Sequence, residues 1–235
     1  MIIPDSVTYL GSHAFYKCNK LKNVTLGNGI TEIEQYTFYK CPSLEYVTLS
    51  NNVTAIGNCA FAECERLKSL NLKGVESIGS YAFYSCHSLS SIDLSESIKS
   101  IGAFAFRGCT SLKSIVLSDT LTEIGQHAFY GLSDVTLYCE TTKAPDGWDK
   151  KSNSSHRPVI YGCGLLEDGS VAYITISDDN IENKNALNGI SNPERTGYTF
   201  EGWTTEEGGT TIEYTTDNLL DAPNGSTLYA IWLPQ

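Results

Sequence analysis

The residues of this 235-residue chain best suited to chemistry are its eight cysteines and four histidines. Thiolates and imidazoles are the usual zinc ligands, and a thiol beside an imidazole serves as a catalytic nucleophile. The sequence holds no Cys-x-x-Cys pair and no two histidines three or four residues apart. Because tetrahedral sites commonly draw their ligands from such pairs, we predict that the chain binds no metal.

Other catalytic patterns are equally scarce. The sequence has no Gly-x-Ser-x-Gly elbow, no glycine-rich phosphate loop and no carboxylate pair whose spacing indicates a shared site. Its 27 acidic and 16 basic residues give a net charge of −11, which opposes binding to nucleic acid and to acidic lipids. No apolar run reaches the roughly 20 residues that cross a bilayer. We therefore predict a non-enzymatic chain without cofactor, nucleic-acid partner or membrane insertion.

Most of the cysteines belong to a repeat. Six phenylalanines lie 23, 23, 22, 23 and 23 residues apart. Each unit reads Cys-x-x-Leu-x-x-Ile/Val-x-Leu, a turn, a second apolar pair and then Ala-Phe-x-x-Cys, and it is too short to bury its own apolar face. The pattern predicts a β-rich, right-handed solenoid of parallel strands with one continuous core. Its columns are Phe15, Phe38, Phe61, Phe83, Phe106 and Phe129, then Cys18, Cys41, Cys64, Cys86 and Cys109, and then Leu26, Leu49, Leu72, Leu94 and Leu117.

The cysteine column is interpreted as structural. Side chains stacked on adjacent strands project in parallel, which disfavours disulfides between them. Free cysteine is commonly buried and behaves as a small hydrophobe, so we expect a buried, reduced ladder. Cys139 and Cys163 flank the segment that follows the repeats, and for this pair the sequence leaves both a disulfide and two free thiols open.

These columns resemble the BspA-like leucine-rich repeat family, most closely at Cys86 to Leu94 and Ile101 to Phe106. The resemblance covers about residues 3–162 and includes a closing segment with Ala144 to Trp148 and Pro158 to Gly162. It implies a domain at residues 1–162 that ends in a cap at about 138–162. It also implies a bacterial protein that is extracellular or at the cell surface and serves in adhesion.

A second pattern follows the repeats. Gly197-Tyr-x-Phe-x-Gly-Trp203 and Thr227-Leu-Tyr-Ala-x-Trp232 resemble the Listeria-Bacteroides repeat, also called the internalin B-repeat, over about residues 170–233. The resemblance implies a small β-grasp-like module at 170–235, joined by a linker at 163–169. We expect this module to fold as a separate unit and to bury Trp203 and Trp232.

The candidate ligand contacts are aromatic. The positions after each repeat phenylalanine and before each alanine are rich in rings, which supply rigid contact area with a polar tip. The same rings could simply shield the turn beneath them, and the sequence leaves that alternative open. The candidates are Tyr16, Tyr36, Tyr39, Tyr81, Tyr84, Phe104, Arg107 and Tyr130.

Two neighbouring sets of residues are left out of that candidate set. His13 and His127 share one column five repeats apart and are interpreted as occupants of a permissive surface position. The strand-side columns are small and polar and lack hot-spot residues. They are Asn23, Tyr46, Ser69, Ser91 and Ser114, and Thr25, Thr48, Asn71, Asp93 and Val116.

Two functions remain. The chain binds a host protein, a matrix protein or a glycan through its solenoid, or it is a structural spacer of a larger surface protein. Ile3 lies four residues before Val7, as Leu26 lies four before Ile30, so the chain is expected to start in mid-repeat. An open strand edge there would permit edge-to-edge self-association. The sequence shows no secretion signal and no anchor, and we expect an extracellular fragment of a longer protein.

Overall fold

The computed structural model describes residues 1–94, 97–177, 180–183 and 190–235. The chain divides into two compact units. The first comprises Met1–Leu112, Thr120–Ser133 and Pro145–Ser155, and the second comprises Lys113–Asp119, Asp134–Ala144 and His156–Gln235. Among the described residues the only helical segment is a 3₁₀ turn at Leu219–Asp221, and none of them forms a helix long and apolar enough to span a membrane.

The strands are short because each repeat needs only a few extended residues per side. In chain order they are β1 (Ile2–Ile3), β2 (Asn23–Leu26), β3 (Glu32–Ile33), β4 (Tyr46–Thr48), β5 (Ala55–Ile56), β6 (Ser69–Leu70), β7 (Ser77–Ile78), β8 (Ser91–Ile92), β9 (Ser100–Ile101), β10 (Ser114–Leu117), β11 (Glu123–Ile124), β12 (Thr136–Cys139), β13 (Val159–Tyr161), β14 (Gly164–Leu165), β15 (Val171–Thr175), β16 (Ile181–Glu182), β17 (Tyr198–Thr204) and β18 (Thr227–Pro234).

The first unit contains two parallel five-stranded sheets, with one strand of each sheet contributed per repeat. Their orders are β1-β2-β4-β6-β8 and β11-β9-β7-β5-β3. Equivalent residues face each other, as Val24 faces Val47 and Ile56 faces Ile78. Ile3 pairs with Leu26, which confirms that Ile3 is the last strand residue of its repeat. The predicted parallel-stranded solenoid is therefore confirmed.

The core of the first unit is a stack of phenylalanine rings. The rings of Phe38, Phe61, Phe83 and Phe106 lie 5.2, 5.4 and 5.3 Å apart between successive centroids, with interplanar angles of 7° or less. All four side chains are fully buried. Burying one such ring contributes roughly 1.5–3 kcal/mol. The strand leucines of this unit are also buried, except that Leu49 is only half-buried.

The cysteine column forms the predicted reduced ladder, which is buried at Cys41, Cys64, Cys86 and Cys109 but partly exposed at Cys18. All eight cysteines are free thiols. The Cys64 thiol donates a hydrogen bond to the carbonyl of Phe38 (3.0 Å), and Cys86 donates to Phe61 (3.1 Å). Cys41 and Cys109 make the same contact with Phe15 and Phe83. Each thiol thus satisfies a turn carbonyl of an earlier repeat.

The 22-residue repeat is one residue shorter than the others, and the missing residue is in the bend between its two strands. Gly74 occupies this bend with φ of +87°, a conformation that glycine adopts without steric cost. A Cβ at this position would lie 2.6 Å from the carbonyl oxygen of Asn51. The shorter bend therefore requires glycine, and the strands on either side keep their register.

The segment after the sixth repeat contributes to the first unit through Trp148. This residue forms an isolated parallel bridge with Ile124, and its indole N–H donates to the carbonyl of Leu121 (3.1 Å). The Ala-Pro-x-Gly-Trp segment therefore adds one more parallel contact to the edge of the second sheet.

The second unit begins with a sheet in which strand direction changes. Strands β10, β12 and β13 are parallel, and β16 then pairs antiparallel with β13. Residues 136–139 and 159–161 are buried on both faces. Tyr138 and Ile160 belong to the hydrophobic core of this unit, against which Val116 packs. The strand-side position, exposed at Thr25 and Thr48, is therefore apolar and covered here.

A second, antiparallel sheet of order β14-β15-β18-β17 completes the second unit. Trp203 lies fully buried in the same core as Tyr138, as predicted. Trp232 is half-buried and donates its indole N–H to the carbonyl of Val171 (3.1 Å). The β-grasp assignment and the boundaries 1–162, 163–169 and 170–235 stay predictions.

The disulfide considered for Cys139 and Cys163 is not formed. Both thiols are free and buried. The Cys163 thiol donates to the carbonyl of Ile160 (3.3 Å), and its backbone N–H donates to the carbonyl of Cys139 (2.9 Å). The two residues are thus linked through the backbone, and burial raises the pKa of the Cys163 thiol to about 12.

Truncating a central core leucine should destabilise the solenoid strongly. Leu72 is almost fully buried, so Leu72→Ala removes packed methyl groups and leaves a cavity. We expect a loss of about 2–5 kcal/mol in the free energy of unfolding by urea. Leu49→Ala, at the half-buried member of the same column, is the matched control and should lose clearly less. Equal losses would contradict the stacked core.

Thiol labelling should separate the ladder from the surface. Cys18 and Cys59 are partly exposed and the other six cysteines are buried, while burial raises the pKa of Cys109 to about 12 and keeps it in the poorly nucleophilic thiol form. We expect a disulfide reagent at pH 8 to modify two thiols in the folded chain and eight in urea. Rapid modification of more than two without denaturant would show that the ladder is open.

Candidate functional site on the turn face

The Ala-Phe turns are tied together by backbone hydrogen bonds that alternate in direction. Within a turn, the N–H of Ala62 donates to the carbonyl of Cys59 three residues earlier (3.2 Å). Its neighbour Phe61 instead donates to Ala82 of the next repeat (2.8 Å). Both kinds of bond recur from repeat to repeat, so the turns hold a fixed register although they are not strands.

The residue before the alanine of each turn, or before Thr37 in the second repeat, has a left-handed backbone. Side chains other than glycine rarely adopt this conformation because Cβ crowds the neighbouring carbonyl, at a cost of roughly 1–3 kcal/mol. Here φ lies between 55° and 65° at all six positions: His13, Tyr36, Cys59, Tyr81, Phe104 and His127. Five of the six carry an aromatic ring where glycine would fit with less strain.

These rings and those that follow the phenylalanines form a surface that we call the turn face. The third repeat carries Cys59 and Ala62 at the two positions and divides the rings into two groups. The N-terminal patch consists of His13, Tyr16, Tyr36 and Tyr39. The C-terminal patch consists of Tyr81, Tyr84, Phe104, Arg107, His127 and Tyr130.

The N-terminal patch is a two-by-two arrangement of rings. His13 stacks on Tyr36 with centroids 4.8 Å apart, and Tyr16 stacks on Tyr39 at 5.3 Å. Tyr36 and Tyr39 meet edge to face at 5.5 Å. Each stacked pair joins neighbouring repeats, so ring spacing follows the spacing of the turns.

The C-terminal patch extends over three repeats. Tyr81, Phe104 and His127 form a continuous stack, with centroids 4.9 Å apart at both steps. The guanidinium of Arg107 lies 5.7 Å from the ring centroid of Tyr84 and 5.2 Å from that of Tyr130. Arg107 occupies the position after the repeat phenylalanine, where Tyr84 and Tyr130 lie in the neighbouring repeats. Because a planar cation stacks on aromatic faces, the guanidinium takes the place of a ring there.

The rings present mainly their edges and polar tips to solvent. Interplanar angles within the stacked pairs are 11–28°, so most ring faces are covered by a neighbour. Within the patches the most exposed tyrosines are Tyr130 (42%), Tyr16 (39%) and Tyr81 (37%). The other rings of the patches are half-buried, apart from His13, which is exposed.

Two tyrosine hydroxyls of the N-terminal patch form hydrogen bonds within the chain. The Tyr39 hydroxyl donates to the Glu63 carboxylate (3.0 Å), which also pairs with the Lys40 ammonium (3.3 Å). Desolvation and this bond raise the pKa of Tyr39, and the Glu63 hydrogen bond raises the pKa of Lys40. A hydrogen bond with the Cys59 thiol raises the pKa of Tyr36. The hydroxyls of Tyr36 and Tyr39 are therefore engaged within the chain.

The strand side is less uniform than its sequence indicates. Tyr46 is 47% exposed, and its ring lies 5.0 Å from the Lys68 ammonium, which also donates to its hydroxyl (3.2 Å). Ser114 is buried and Val116 packs against the core of the second unit. The description of this side as small, polar and open therefore holds at Asn23, Ser69 and Ser91 but is wrong at these three positions.

All eight candidate contacts from the sequence lie in the two patches. Three are in the N-terminal patch and five in the C-terminal patch. His13 and His127, which were not predicted as contacts, lie at the two outer ends of the column of rings, and His127 also contacts the Ser154 hydroxyl (2.6 Å). Their shared column with Tyr36 and Phe104 was the available signal. Among the described residues no three histidine, cysteine or acidic side chains form a metal-binding group.

The parallel solenoid with repeats of 22 to 23 residues defines a leucine-rich-repeat protein. A family model described as the BspA type leucine-rich repeat region matches residues 1–86 and 76–143, with six copies. The chain belongs to this family. The model of the Listeria-Bacteroides repeat domain matches residues 167–231, so both resemblances drawn from the sequence are confirmed.

Solved structures support the same fold. A leucine-rich cell surface protein from Faecalibacterium prausnitzii A2-165 is 25% identical, with a TM-score of 0.59, over 76% of this chain and 52% of that chain. The pneumococcal vaccine antigen PcpA is 24% identical, with a TM-score of 0.50, over 61% of this chain and 36% of that one. This chain thus spans about half the length of the first and about a third of the second. A comparison with curated proteins finds no match.

The cost of the left-handed turn can be measured at Phe104. Phe104→Ala and Phe104→Gly both remove the ring, but only alanine keeps a Cβ at φ of +57°. We expect the glycine variant to be more stable by about 1 kcal/mol in urea unfolding. At the neighbouring Ala105, where φ is negative, Ala105→Gly should instead destabilise. The reverse order at Phe104 would show that the turn relaxes on substitution.

Proposed function

We propose that this chain is the binding segment of a bacterial cell-surface protein and that the turn face of its solenoid contacts the partner without catalysing a reaction. The similar structure from Faecalibacterium prausnitzii is a cell surface protein, which supports a location outside the cell. The partner is a host protein, a matrix protein or a glycan.

The observation that best supports this proposal is that aromatic side chains lie at positions with a left-handed backbone. Tyr81 and Phe104 occupy positions where glycine would remove roughly 1–3 kcal/mol of strain. Stacking between neighbouring rings returns about 0.5–1.5 kcal/mol per pair, which roughly offsets the strain without adding stability. Rings kept at such a cost and partly exposed are better accounted for by contact with a partner than by folding.

The composition of the two patches supports the same role. Tyrosine and arginine are among the residues that contribute most binding energy at protein interfaces. The C-terminal patch combines three tyrosines with Arg107 on one rigid surface, so little conformational entropy is lost when a partner binds. The open strand side carries small polar residues such as Ser69 and Ser91, which rarely anchor an interface.

A structural spacer is the second candidate. It is favoured by the mutual stacking of the rings, because each ring covers the face of the next and protects the turn beneath it. In this role the patches would stabilise the array, and the chain would only project other domains from the cell. Stability and binding respond differently in the two cases, and a pair of substitutions separates them.

Removing one ring from each patch should weaken binding. The wild-type chain is first screened against immobilised matrix proteins and glycans. For the partner found, Tyr39→Ser together with Tyr84→Ser should lower affinity at least tenfold, about 1.4 kcal/mol, because a hot-spot ring contributes about 2 kcal/mol or more. The melting temperature should change little.

The control carries Ser69→Lys and Ser91→Lys on the strand side and should bind within about twofold of wild type, which is under about 0.5 kcal/mol. A large fall in the melting temperature of the tyrosine variant, with unchanged affinity, would instead identify the rings as structural. Failure of the wild-type chain to bind anything in the screen would favour the spacer.

A further inference from the structure

The guanidinium of Arg107 is held by rings from three successive repeats. Its central carbon lies 5.7 Å from the ring centroid of Tyr84, 5.5 Å from that of Phe104 and 5.2 Å from that of Tyr130. The backbone beneath it is fixed as well, since its carbonyl accepts the N–H of Ser85 (2.8 Å) and its N–H donates to Phe104 (3.1 Å). The side chain is half-buried and therefore preorganised.

Arg107 has no carboxylate partner within ion-pair distance among the residues that the structure describes. Other cations of the chain do: Lys40 pairs with Glu63, Lys68 with Glu45, Lys99 with Glu76, Lys113 with Asp134, and Arg195 with Asp168. The guanidinium of Arg107 also has no hydrogen-bond acceptor among the described residues. Its planar fork of N–H donors is thus left for a group outside the chain.

The surroundings of Arg107 explain why no described residue pairs with it. Residues 79–90, 102–112 and 125–133 form the turns of the C-terminal patch and contain no aspartate or glutamate, although the whole chain carries 27 acidic residues. His87 adds a ring nitrogen 2.9 Å from the carbonyl of Gly108, the residue after Arg107. The patch is a cationic, acid-free area on an acidic molecule, which fits a negatively charged ligand group.

Arg195 shows the completed form of this arrangement within the same chain. Its guanidinium stacks 3.8 Å from the ring centroid of Tyr198 and donates to the Asp168 carboxylate (2.8 Å). An arginine stacked on rings keeps its N–H edge free for a planar acceptor, and a carboxylate matches the geometry of that edge. Arg107 has the rings, but no carboxylate of the described residues pairs with it.

We propose that Arg107 is the anchor for a carboxylate of an acidic segment in a protein partner, an inference that rests on the proposed binding function of the turn face. A protein is favoured over a glycan because the ring faces needed for stacking on a sugar are covered by Arg107 and by neighbouring rings. Ring edges, tyrosine hydroxyls and one guanidinium remain, a composition typical of protein interfaces.

The test uses the full chain and a fluorescent peptide of ten glutamates, with a peptide of ten glutamines as the uncharged control and a hyaluronan decasaccharide as the carboxylated glycan. The chain has four arginines, Arg66, Arg107, Arg157 and Arg195, so their side-chain Nε signals are easily distinguished by NMR. We expect glutamate peptide to shift the Arg107 signal and to leave that of exposed Arg66 in place.

Affinities from fluorescence polarisation complete the test. Arg107→Gln should weaken glutamate-peptide binding at least tenfold, and Arg107→Lys at least fivefold, since lysine keeps the charge but loses the planar fork. Arg66→Gln, the matched control, should stay within twofold. Equal losses at both positions would reveal unspecific charge attraction and overturn the proposal, as would no Arg107 shift with the peptide, or an Arg107-dependent affinity for hyaluronan alone.

The outcome is distinguishable from failure of the proposed function. If the Tyr39→Ser and Tyr84→Ser variant loses affinity for the partner found in the screen while Arg107→Gln keeps it, the turn face binds but Arg107 is not its anchor. If Arg107→Gln and the tyrosine variant both lose that affinity and the glutamate peptide competes with the partner, the anchor is supported. If the screen finds no partner, the proposed function fails, and the peptide results alone still decide for or against carboxylate binding at Arg107.

Discussion

The structure of the first unit depends on the hydrogen bonds that join one Ala-Phe turn to the next. Phe38, Phe61, Phe83 and Phe106 each donate a backbone N–H to the alanine carbonyl of the following repeat at 2.8–2.9 Å. This spacing brings the phenylalanine rings into contact at 5.1–5.9 Å. It also places the thiols of Cys41, Cys64, Cys86 and Cys109 on turn carbonyls. These bonds therefore set the register of the phenylalanine core, of the cysteine ladder and of the turn face.

The same bonds impose the left-handed residues. The N–H of Tyr81 must point at Ala103 of the next repeat (2.9 Å), and a positive φ is the conformation in which the turn achieves this. Since the requirement concerns only the backbone, it acts equally on His13, Cys59 and Phe104. Apart from the backbone strain, folding therefore does not determine which side chain occupies these positions. The side chains there can instead contribute to the properties of the surface.

The periodic parts of the molecule could be predicted because each apolar column has the same neighbours in every repeat. Phe61, Cys64 and Leu67 lie one repeat apart from identical residues, so spacing alone fixes their burial. The left-handed backbone at Tyr36 or Phe104 could not be predicted, since aromatic residues carry no signal for positive φ, unlike glycine or asparagine. Sequence spacing placed Arg107 among the candidate contacts but could not show that no carboxylate in the described part of the chain pairs with it.

The largest departure from the sequence interpretation concerns the strand side. Val116 and Ser114 align with exposed residues of earlier repeats, yet Val116 packs against a core that contains Trp203 and Leu228, more than 80 residues later in the chain. No local sequence pattern indicates that residues so far away in the chain cover this position. The change from Asp93 to Val116, Tyr138 and Ile160 in one column was the available sign that this part of the surface is buried.

The bend at Gly74 shows where such an array tolerates changes in length. Neighbouring repeats are joined at their strands and at their Ala-Phe turns, whereas the bend between the two strands of the 22-residue unit absorbs the missing residue without disturbing either. A deletion there leaves Ser77 paired with Ala55 and with Ser100. Genes for such arrays can therefore gain, lose or exchange whole repeats of unequal length by recombination, and the encoded chain still folds in register.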